Sequence, residues 1–477
     1  MKRLLSSVLA VAILLSTAAC SSSGTSSAAP AAASAAAPAS SEASAGSAST
    51  DTVPTIDKIN LGTDYKDIKA NLKFLTHKTD CVDTVFKDYI TEFQKLYPNI
   101  NITYEGITDY EKELGTRITT KDWGDICMIP ALLTANKKDL GTYFIPMGDQ
   151  KTLDGIYRYT DLWMYNGKSY GVASNGNVMG LVYNKKVWQS AGVTDLPKTP
   201  DDFLADLKKI KDKYSDGSVA PLYTNFAAKW TMTAWDSYLS STATGSADYL
   251  NITMPHEKNP FAKQSTMTGP YAVYYTLYQA AKQGLIEKDP TTTDWESSKG
   301  KLNKGSIATM ALGSWVISQC QSAGPNKDDV GYMPFPITVN GKQYAMNGGD
   351  YNYGINVTSS KTNQIAAMCY VKWLVEKSGF AQSQGCIPTL KSDALPDILQ
   401  KSFQGVDLVV DSPAKSGEED LVGKINSESE ISLNGDATHV CTLVEEAVKK
   451  DGKTLDQITD EMNQKWTKAQ QKYKALG

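Results

Sequence analysis

The chain has 477 residues, of which 41% are hydrophobic and 21% charged, and a formal net charge of -4 at pH 7. This length and a mean hydropathy of -0.33 are typical of a globular chain with about two domains, each large enough to bury a core. The mild negative charge argues against nucleic acid as a partner. The three histidines, His77, His256 and His439, lie far apart and in no ligand-spacing motif. A zinc centre or a Ser-His-Asp triad is therefore disfavoured.

The amino terminus carries the features of an export signal. Residues 1–3 are positively charged, residues 8–15 are apolar, and small side chains precede Cys20. The apolar run is too short to span a bilayer as a permanent helix. Cys20 followed by residues 21–24 resembles the lipobox of bacterial lipoproteins, which implies removal of residues 1–19 as a signal peptide and lipidation of Cys20. Ordinary secretion with a chance cysteine is the alternative.

A segment rich in Ser and Ala follows the cysteine. Between residues 21 and 50, 23 of 30 positions are Ser or Ala, and Glu42 is the single charge. Such a composition cannot bury enough surface to offset the entropy lost on folding. We therefore predict that residues 20–53 form a lipidated, disordered tether with a reach of roughly 30 Å. An Ala-rich helix is the alternative, but Pro30 and Pro38 count against it.

The folded part begins with a strand, helix and strand pattern. Residues 70–75 form a strand candidate, residues 82–96 place apolar side chains at helical spacing, and residues 100–104 alternate as a second strand. This order predicts the βαβ unit of a parallel sheet. His77 and Asp80 follow the first strand, at its carboxyl end, where they could hydrogen-bond a ligand. A helix cap is the alternative role for Asp80.

A later buried strand is predicted over residues 307–312, which are small and apolar and lie between Gly305 and Gly313. Trp315 stands just beyond its end. Ligands bind at the carboxyl ends of strands in open α/β sheets. A large aromatic side chain at this point is therefore either a stacking platform for a ligand or a lid on the core.

Ten short motifs occur in a recognisable order along the chain. They are residues 93–98, 124–126, 165–172, 179–187, 191–203, 305–315, 347–355, 366–376, 385–388 and 454–457. Their order resembles the family 1 extracellular solute-binding proteins, the maltose-binding type of bacterial ABC importers. Each motif is weak alone, but their shared order is a strong signal, and the resemblance spans nearly the whole chain after the tether. Gly124 departs from the proline that this family often has at that position.

This resemblance implies an α/β, two-lobed periplasmic-binding-protein-like fold of type II. Each lobe would be a mostly parallel sheet flanked by helices, with the ligand in the cleft between them and closure by rigid-body motion. The predicted division is residues 58–160 and 304–349 for the first lobe, 161–303 and 350–430 for the second, and 431–477 for C-terminal helices that pack on the lobes.

The aromatic content suggests a carbohydrate ligand. Sugar rings stack on Trp and Tyr, while their hydroxyls pair with planar polar groups; the chain has nine Trp and 25 Tyr. Trp230 and Trp235 would diverge on a helix, so we predict Trp230 in the cleft and Trp235 in the core. The candidate ligand-binding residues are His77, Asp80, Asp125, Asn175, Trp230, Trp315, Asp350 and Tyr351. Hinge roles remain open for Asp350 and Tyr351, and a turn role for Asn175.

No other motif indicates chemistry. The six further cysteines show no Cys-x-x-Cys spacing; one disulfide is possible, but its connectivity cannot be read. Residues 176–180 lack the spacing of a nucleotide loop, and no cofactor, metal or catalytic residue is predicted.

The predicted function is that of a monomeric lipoprotein on the extracellular face of the bacterial membrane. It would capture a carbohydrate, such as an oligosaccharide, and deliver it to the permease of an ABC importer. The same fold with a peptide, polyamine or other polar solute is one alternative. An extracellular glycosidase is another, but no pair of carboxylates is nominated by the sequence.

Overall fold

The structure is a computed structural model that describes residues 52–120, 123–130, 133 and 137–476. These residues belong to the unit Ser47–Gly477. The predicted signal peptide, Cys20 and most of the Ser/Ala tether lie outside the described residues.

Strands and helices alternate along most of the described chain. The strands are β1 Ala70–Thr76, β2 Ile100–Gly106, β3 Ile126–Met128, β4 Gly148–Asp149, β5 Met164–Tyr165, β6 Lys168–Ser169, β7 Val172–Ala173, β8 Gly176–Asn184, β9 Thr309–Gly313, β10 Val330–Met333, β11 Tyr344–Gly349, β12 Asn352–Ile355 and β13 Asp407–Val409.

The α-helices are α1 Thr79–Val82, α2 Val85–Gln94, α3 Tyr110–Ile118, α4 Leu140–Tyr143, α5 Gln150–Asp154, α6 Lys185–Ser190, α7 Pro200–Lys213, α8 Ser241–Thr244, α9 Gly269–Lys282, α10 Trp295–Lys304, α11 Val316–Ser322, α12 Lys361–Glu376, α13 Phe380–Ser383, α14 Asp397–Ser402, α15 Leu421–Glu428, α16 Thr438–Val448 and α17 Leu455–Lys472. Short 3₁₀ helices cover Ile56–Lys58, Phe226–Ala228, Met254–His256, Pro290–Thr292 and Lys327–Asp329, and a longer one covers Trp230–Tyr238. A π-helix covers Tyr249–Thr253.

The first sheet has the strand order β2-β1-β3-β12-β7. β1 pairs in parallel with β2 and β3, which confirms the predicted βαβ unit. β12 is antiparallel to both of its neighbours. The helix expected over residues 82–96 is divided into α1 and α2, and Thr84 between them donates its hydroxyl to the carbonyl of Asp80 at 2.8 Å. One apolar core packs on this sheet and combines residues 56–172 with residues 353–380.

The second sheet is built around the long strand β8. β9, β10 and β11 all pair with β8 and run antiparallel to it, while β13 is parallel to β11. Both sheets are therefore mixed: the first has two parallel and two antiparallel pairings, and antiparallel pairings predominate in the second, so the expectation of mostly parallel sheets is not met. The predicted strand at residues 307–312 is present as β9, and all five of its residues are buried.

These pairings contradict the predicted division of the chain into lobes. β9, β10 and β11 were expected in the first lobe, but they pair with β8 of the second sheet. β12 and α12 were expected in the second lobe, yet β12 lies inside the first sheet and α12 packs in the core of that sheet. The hydrogen-bonded partners of a short buried strand decide which lobe it joins.

The C-terminal helices pack where the sequence predicts, against the core that contains the second sheet. α16 and α17 contribute Val440, Leu443 and Trp466 to that core. A capping box begins α17, because Thr454 and Gln457 each bind the other's backbone N–H. Among the described residues, all six cysteines are free and buried. No described helix combines the length and apolarity needed to cross a membrane.

Candidate ligand-binding site

Three chain segments connect the two sheets. Residues 174–175 join β7 to β8, residues 350–351 join β11 to β12, and residues 386–390 form the third connection. The third is fixed to Gly176, the first residue of β8, by two backbone hydrogen bonds of 2.7 Å between Gly176 and Ile387. The side chains that surround these connections form the candidate site.

A cluster of aromatic and polar side chains lies at the carboxyl end of β1. The ring centroid of His77 is 4.2 Å from that of Tyr351 and 5.7 Å from that of Tyr110. The hydroxyl of Tyr351 donates to Oε1 of Glu111 at 2.5 Å. His77 Nδ1 is buried and has no hydrogen-bond partner among the described residues. Burying a polar atom without a partner is unfavourable, so this nitrogen is a candidate contact for a ligand hydroxyl.

The protonation of His77 follows from its surroundings. Burial lowers its pKa to about 4, and Lys78 acts in the same direction, whereas the negative charges of Asp350 and Asp80 oppose the shift. The imidazole is therefore neutral near pH 7, so one ring nitrogen donates a hydrogen bond and the other accepts one. A neutral ring of this kind suits a sugar hydroxyl, which also both donates and accepts.

Asp350 is held in a fixed orientation beside this cluster. Its Oδ1 accepts from the backbone N–H of Tyr351 at 2.8 Å, and its Oδ2 accepts from Nδ2 of Asn177 at 3.1 Å. Asn177 Oδ1 in turn accepts from Ser314 Oγ at 3.4 Å and from the Cys386 thiol at 3.3 Å. Burial raises the pKa of Cys386 to about 12, so its thiol stays protonated and can donate. The two donors orient the amide so that its NH₂ group faces Asp350.

Three tryptophans form a second cluster next to Ser314. The ring centroids of Trp230 and Trp295 are 5.1 Å apart, those of Trp230 and Trp315 are 5.8 Å apart, and those of Trp295 and Trp315 are 5.7 Å apart. Trp230 is 48% exposed, whereas Trp235 is 1% exposed. This is the divergence that their spacing predicts. The exposed ring of Trp230 and the half-buried rings of Trp295 and Trp315 provide an apolar surface on which a sugar could stack.

The polar and aromatic clusters are continuous. Ser314, which immediately precedes Trp315, donates a hydrogen bond to Asn177. Asn177 in turn donates to Asp350, the residue before Tyr351. Asn175 belongs to the same region: it is fully buried, its backbone carbonyl accepts from the N–H of Asp350 at 2.8 Å, and its Oδ1 has no partner among the described residues. Asp80 lies in the first turn of α1, one turn from His77, and is exposed.

Asp125 is the one predicted site residue that the structure places elsewhere. It precedes β3 and lies at the end of that strand that is farther from the three segments connecting the sheets. Its carboxylate accepts hydrogen bonds from other groups of the protein. Oδ2 accepts from the backbone N–H of Lys73 at 2.9 Å, while Oδ1 accepts from Ser359 at 2.7 Å and from Asn363 at 2.9 Å. Asp125 therefore ties β1 and β3 to the start of α12, and we assign it a structural role in place of the predicted role in ligand binding.

Asp125→Ala should lower the free energy of unfolding and leave ligand affinity unchanged. The expected loss is about 1 kcal/mol or more, because the three donors lose their acceptor. Urea unfolding measures the stability and titration calorimetry measures the affinity of the same variant. A large loss of affinity without a loss of stability would return Asp125 to the site.

Several side chains of this region were not predicted from the sequence. They are Tyr110, Glu111, Asn177, Trp295, Ser314 and Cys386. Trp295 begins α10, and its aromatic character was a usable signal. The others had no local signal, because hydrogen bonds across the two sheets bring them together.

The two connected sheets and the site beside their connections define a two-lobed binding protein. The chain belongs to the bacterial extracellular solute-binding protein family, whose family model matches residues 82–379. The predicted family and the type II fold are thus confirmed, and the protein is an extracellular solute-binding protein.

Solved structures show a close likeness. A manno-oligosaccharide-specific solute-binding protein from Bifidobacterium animalis subsp. lactis, solved with mannotriose, is 45% identical with a TM-score of 0.83, covering 88% of this chain and 99% of that one. A binding protein of an ABC transporter from the same organism, solved with mannobiose, is also 45% identical with a TM-score of 0.83, covering 89% of this chain and 100% of that one. The multiple sugar-binding protein of Streptococcus mutans is 23% identical over 316 residues, which are 65% of this chain and 72% of that protein.

Proposed function

We propose that this protein captures an oligosaccharide between its lobes and delivers it, chemically unchanged, to the permease of an ABC importer. The observation that carries this proposal is the continuity of the three tryptophans with the polar cluster around Asp350 and His77. Aromatic faces suit the C–H faces of sugar rings, and carboxylate, amide and imidazole groups suit their hydroxyls. Such a site would extend over more than one sugar unit.

Mannose-based oligosaccharides are the ligands we propose first. The two relatives from Bifidobacterium were solved with mannobiose and mannotriose, and each aligns over most of this chain at 45% identity. The alignments cover nearly the full length of each relative, 99% and 100%. The neutral His77 and the carboxylate of Asp350 favour an uncharged sugar over an acidic one.

Titration calorimetry with mannobiose and mannotriose, compared with raffinose and maltotriose, tests the proposed ligand class. We expect saturable binding of the mannose-based ligands, and a rise in melting temperature with ligand concentration by mass action. Chromatography after long incubation should recover the ligand intact. Hydrolysed sugar would favour an enzyme, and binding of a peptide or polyamine with no response to any sugar would overturn the carbohydrate assignment.

We also propose that Cys20 anchors the mature protein in the membrane through a lipid, with the Ser/Ala segment as a tether. The proposal rests on the signal-like residues before Cys20 and on the composition of residues 21–50. In a bacterial host the wild type should partition into the detergent phase with the membrane fraction. Cys20→Ala should be released or left unprocessed. Equal partitioning of the two proteins would contradict the lipoprotein assignment.

A further inference from the structure

A buried polar triad lies outside the ligand site, in the core that contains α9 and α16. Asp236 and His439 have side-chain exposures of 0% and 8%, and His439 Nε2 lies 2.9 Å from Asp236 Oδ1. The hydroxyl of Tyr274 donates to the same Oδ1 at 2.9 Å, and the backbone N–H of Asn434 donates to Oδ2 at 2.8 Å. Both oxygens of this carboxylate are therefore held by groups from three different segments.

The triad is fully polar and lies in a mostly apolar core. Burial, and then the charge of Asp236, raises the pKa of Tyr274 well above its ordinary value, so the phenol keeps its proton and donates. The hydrogen bonds to Asp236 are directional, so they fix its orientation more strongly than apolar contacts would. His439 takes part through Nε2; its Nδ1 is buried and has no hydrogen-bond partner among the described residues. A network of this kind in the core needs a reason beyond burial.

Asp236 lies in the same 3₁₀ helix as Trp230, Trp230–Tyr238. This helix has nine residues, whereas 3₁₀ runs longer than about four are uncommon because their hydrogen-bond geometry is poor. Its apolar residues Met232 and Trp235 are buried. Thr231 and Tyr238 of the same helix donate their hydroxyls to the carbonyls of Asn225 and Gly180. The residue that precedes it, Lys229, has a φ of 61°, in the left-handed region that side chains other than glycine seldom adopt. External contacts must hold this segment in its observed form.

The pitch of the helix decides where Trp230 points. At about 120° per residue, six residues complete two whole turns, so Trp230 and Asp236 lie on the same side of a 3₁₀ helix. In an α-helix each residue turns by about 100°, so the same two side chains would diverge by roughly 120°. With Asp236 fixed in the core, a change to α-helical pitch would rotate Trp230 away from Trp295 and Trp315.

We propose that Asp236, Tyr274 and His439 form a positioning triad that holds Trp230 in the tryptophan cluster and so sets the affinity of the aromatic part of the site. This inference rests on the proposed function for its effect on ligand binding. The effect of the triad on the orientation of Trp230 does not depend on the proposed function. The triad connects the C-terminal helix α16 to the site without contacting the ligand.

A double-mutant cycle with Trp230 tests the ligand-binding step. His439→Leu replaces the imidazole, which donates to Asp236, by an apolar side chain of similar size. The affinity for mannotriose should then fall, at most by the factor by which Trp230→Ala lowers it. His439→Gln restores an N–H donor and should recover most of that affinity. In a Trp230→Ala background, His439→Leu should cause no further loss, because the side chain that it positions is already absent.

A control separates positioning from loss of stability. Asn463 in α17 is also buried in this region and accepts from the backbone N–H of Phe261 at 2.9 Å. Asn463→Leu should lower the urea midpoint without changing mannotriose affinity in either background. If His439→Leu weakens binding equally with and without Trp230, or if it behaves like Asn463→Leu, the positioning triad is wrong.

A measurement without ligand distinguishes this inference from the proposed function. Coupling among the three indole rings contributes to the near-UV circular dichroism, and His439→Leu and Tyr274→Phe should both reduce the part of the spectrum that Trp230→Ala removes. An unchanged spectrum in both variants would overturn the triad, whatever the ligand results. If Trp230→Ala leaves affinity intact while His439→Leu alters the spectrum, the triad stands and the stacking role of Trp230 fails.

Discussion

Trp315→Ala is expected to weaken oligosaccharide binding roughly ten- to a hundredfold. Trp315 lies two residues after the end of β9 and contacts Trp230 and Trp295. It is next to Ser314, which donates a hydrogen bond to Asn177. Loss of one aromatic surface that a ligand covers costs about 1 to 3 kcal/mol, and each 1.4 kcal/mol is a factor of about ten in affinity. Titration calorimetry with mannotriose measures the loss.

The same substitution should also lower stability, but by less than a core tryptophan would. Trp315 is half-buried and packs on one side against the apolar cluster that contains Ile307 and Met310. Truncating a fully buried tryptophan costs about 3 to 5 kcal/mol. Trp466→Phe is the control: Trp466 is fully buried in α17, so this change should lower the urea midpoint and leave affinity unchanged. If Trp315→Ala collapses stability while the folded fraction binds normally, Trp315 is a core residue.

The local elements were predictable because their signals are local. The strand at residues 70–75, the amphipathic spacing of residues 82–96 and the small apolar residues at 307–312 each carry a period or a composition that few other structures satisfy. The structure confirms a strand or helices at each place. The sequence does not predict the interruption between α1 and α2. Asp83 and Thr84 fit the spacing of polar and apolar residues in a helix, and only their backbone angles depart from those of a helix.

The partners of those elements were not predictable in the same way. The sequence of β9 predicts a strand that is buried on both faces. Strands of both lobes share this property, so it does not indicate to which lobe β9 belongs. Its antiparallel pairing with β8 depends on contacts between residues about 130 positions apart. The family resemblance implied two discontinuous lobes but did not fix which later segment returns to which sheet. For that reason the division failed at β9 and β12.

The site was partly predictable for a related reason. Positions at strand ends and at the crossing segments drew attention to His77, Trp315 and Asp350, which the structure brings into one region. Asp125 belongs to the family motif at residues 124–126 and precedes β3; it lies at the other end of that strand and binds backbone and side-chain donors. Asp125 precedes β3, and the apolar residues Ile129 and Pro130 follow it, so the polar residue lies at the amino end of this strand and away from the cleft.

The pH dependence of stability should change sharply on replacing His77. Its pKa of about 4 in the folded protein lies below the ordinary value of 6.5, with burial as the main cause. Between these two values the unfolded chain binds a proton at this position that the folded protein does not. The contribution of His77 to stability is therefore fully present above pH 6.5 and is lost as the pH falls towards 4. The loss should amount to about 2 kcal/mol, allowing for partial exposure of the ring.

Urea unfolding of the wild type and of His77→Gln at pH 7.0, 5.5 and 4.5 tests this. The variant should lose less stability than the wild type over that range, because glutamine does not titrate. Other groups that titrate in this range, such as the carboxylates, are common to both proteins, so the difference between the two curves reports on His77 alone.

His256→Gln is a control of opposite sign. Hydrogen bonds to the carbonyl of Ala475 and to Glu418 raise the pKa of His256 above its ordinary value. Its stabilising effect is therefore fully present below pH 6.5 and is lost as the pH rises through the folded pKa. Removing it should cost stability mainly at the acidic end, whereas removing His77 should spare stability there. Parallel curves for the wild type and His77→Gln would show that the imidazole is solvated, and His77 would then lose its place as a buried contact for the ligand.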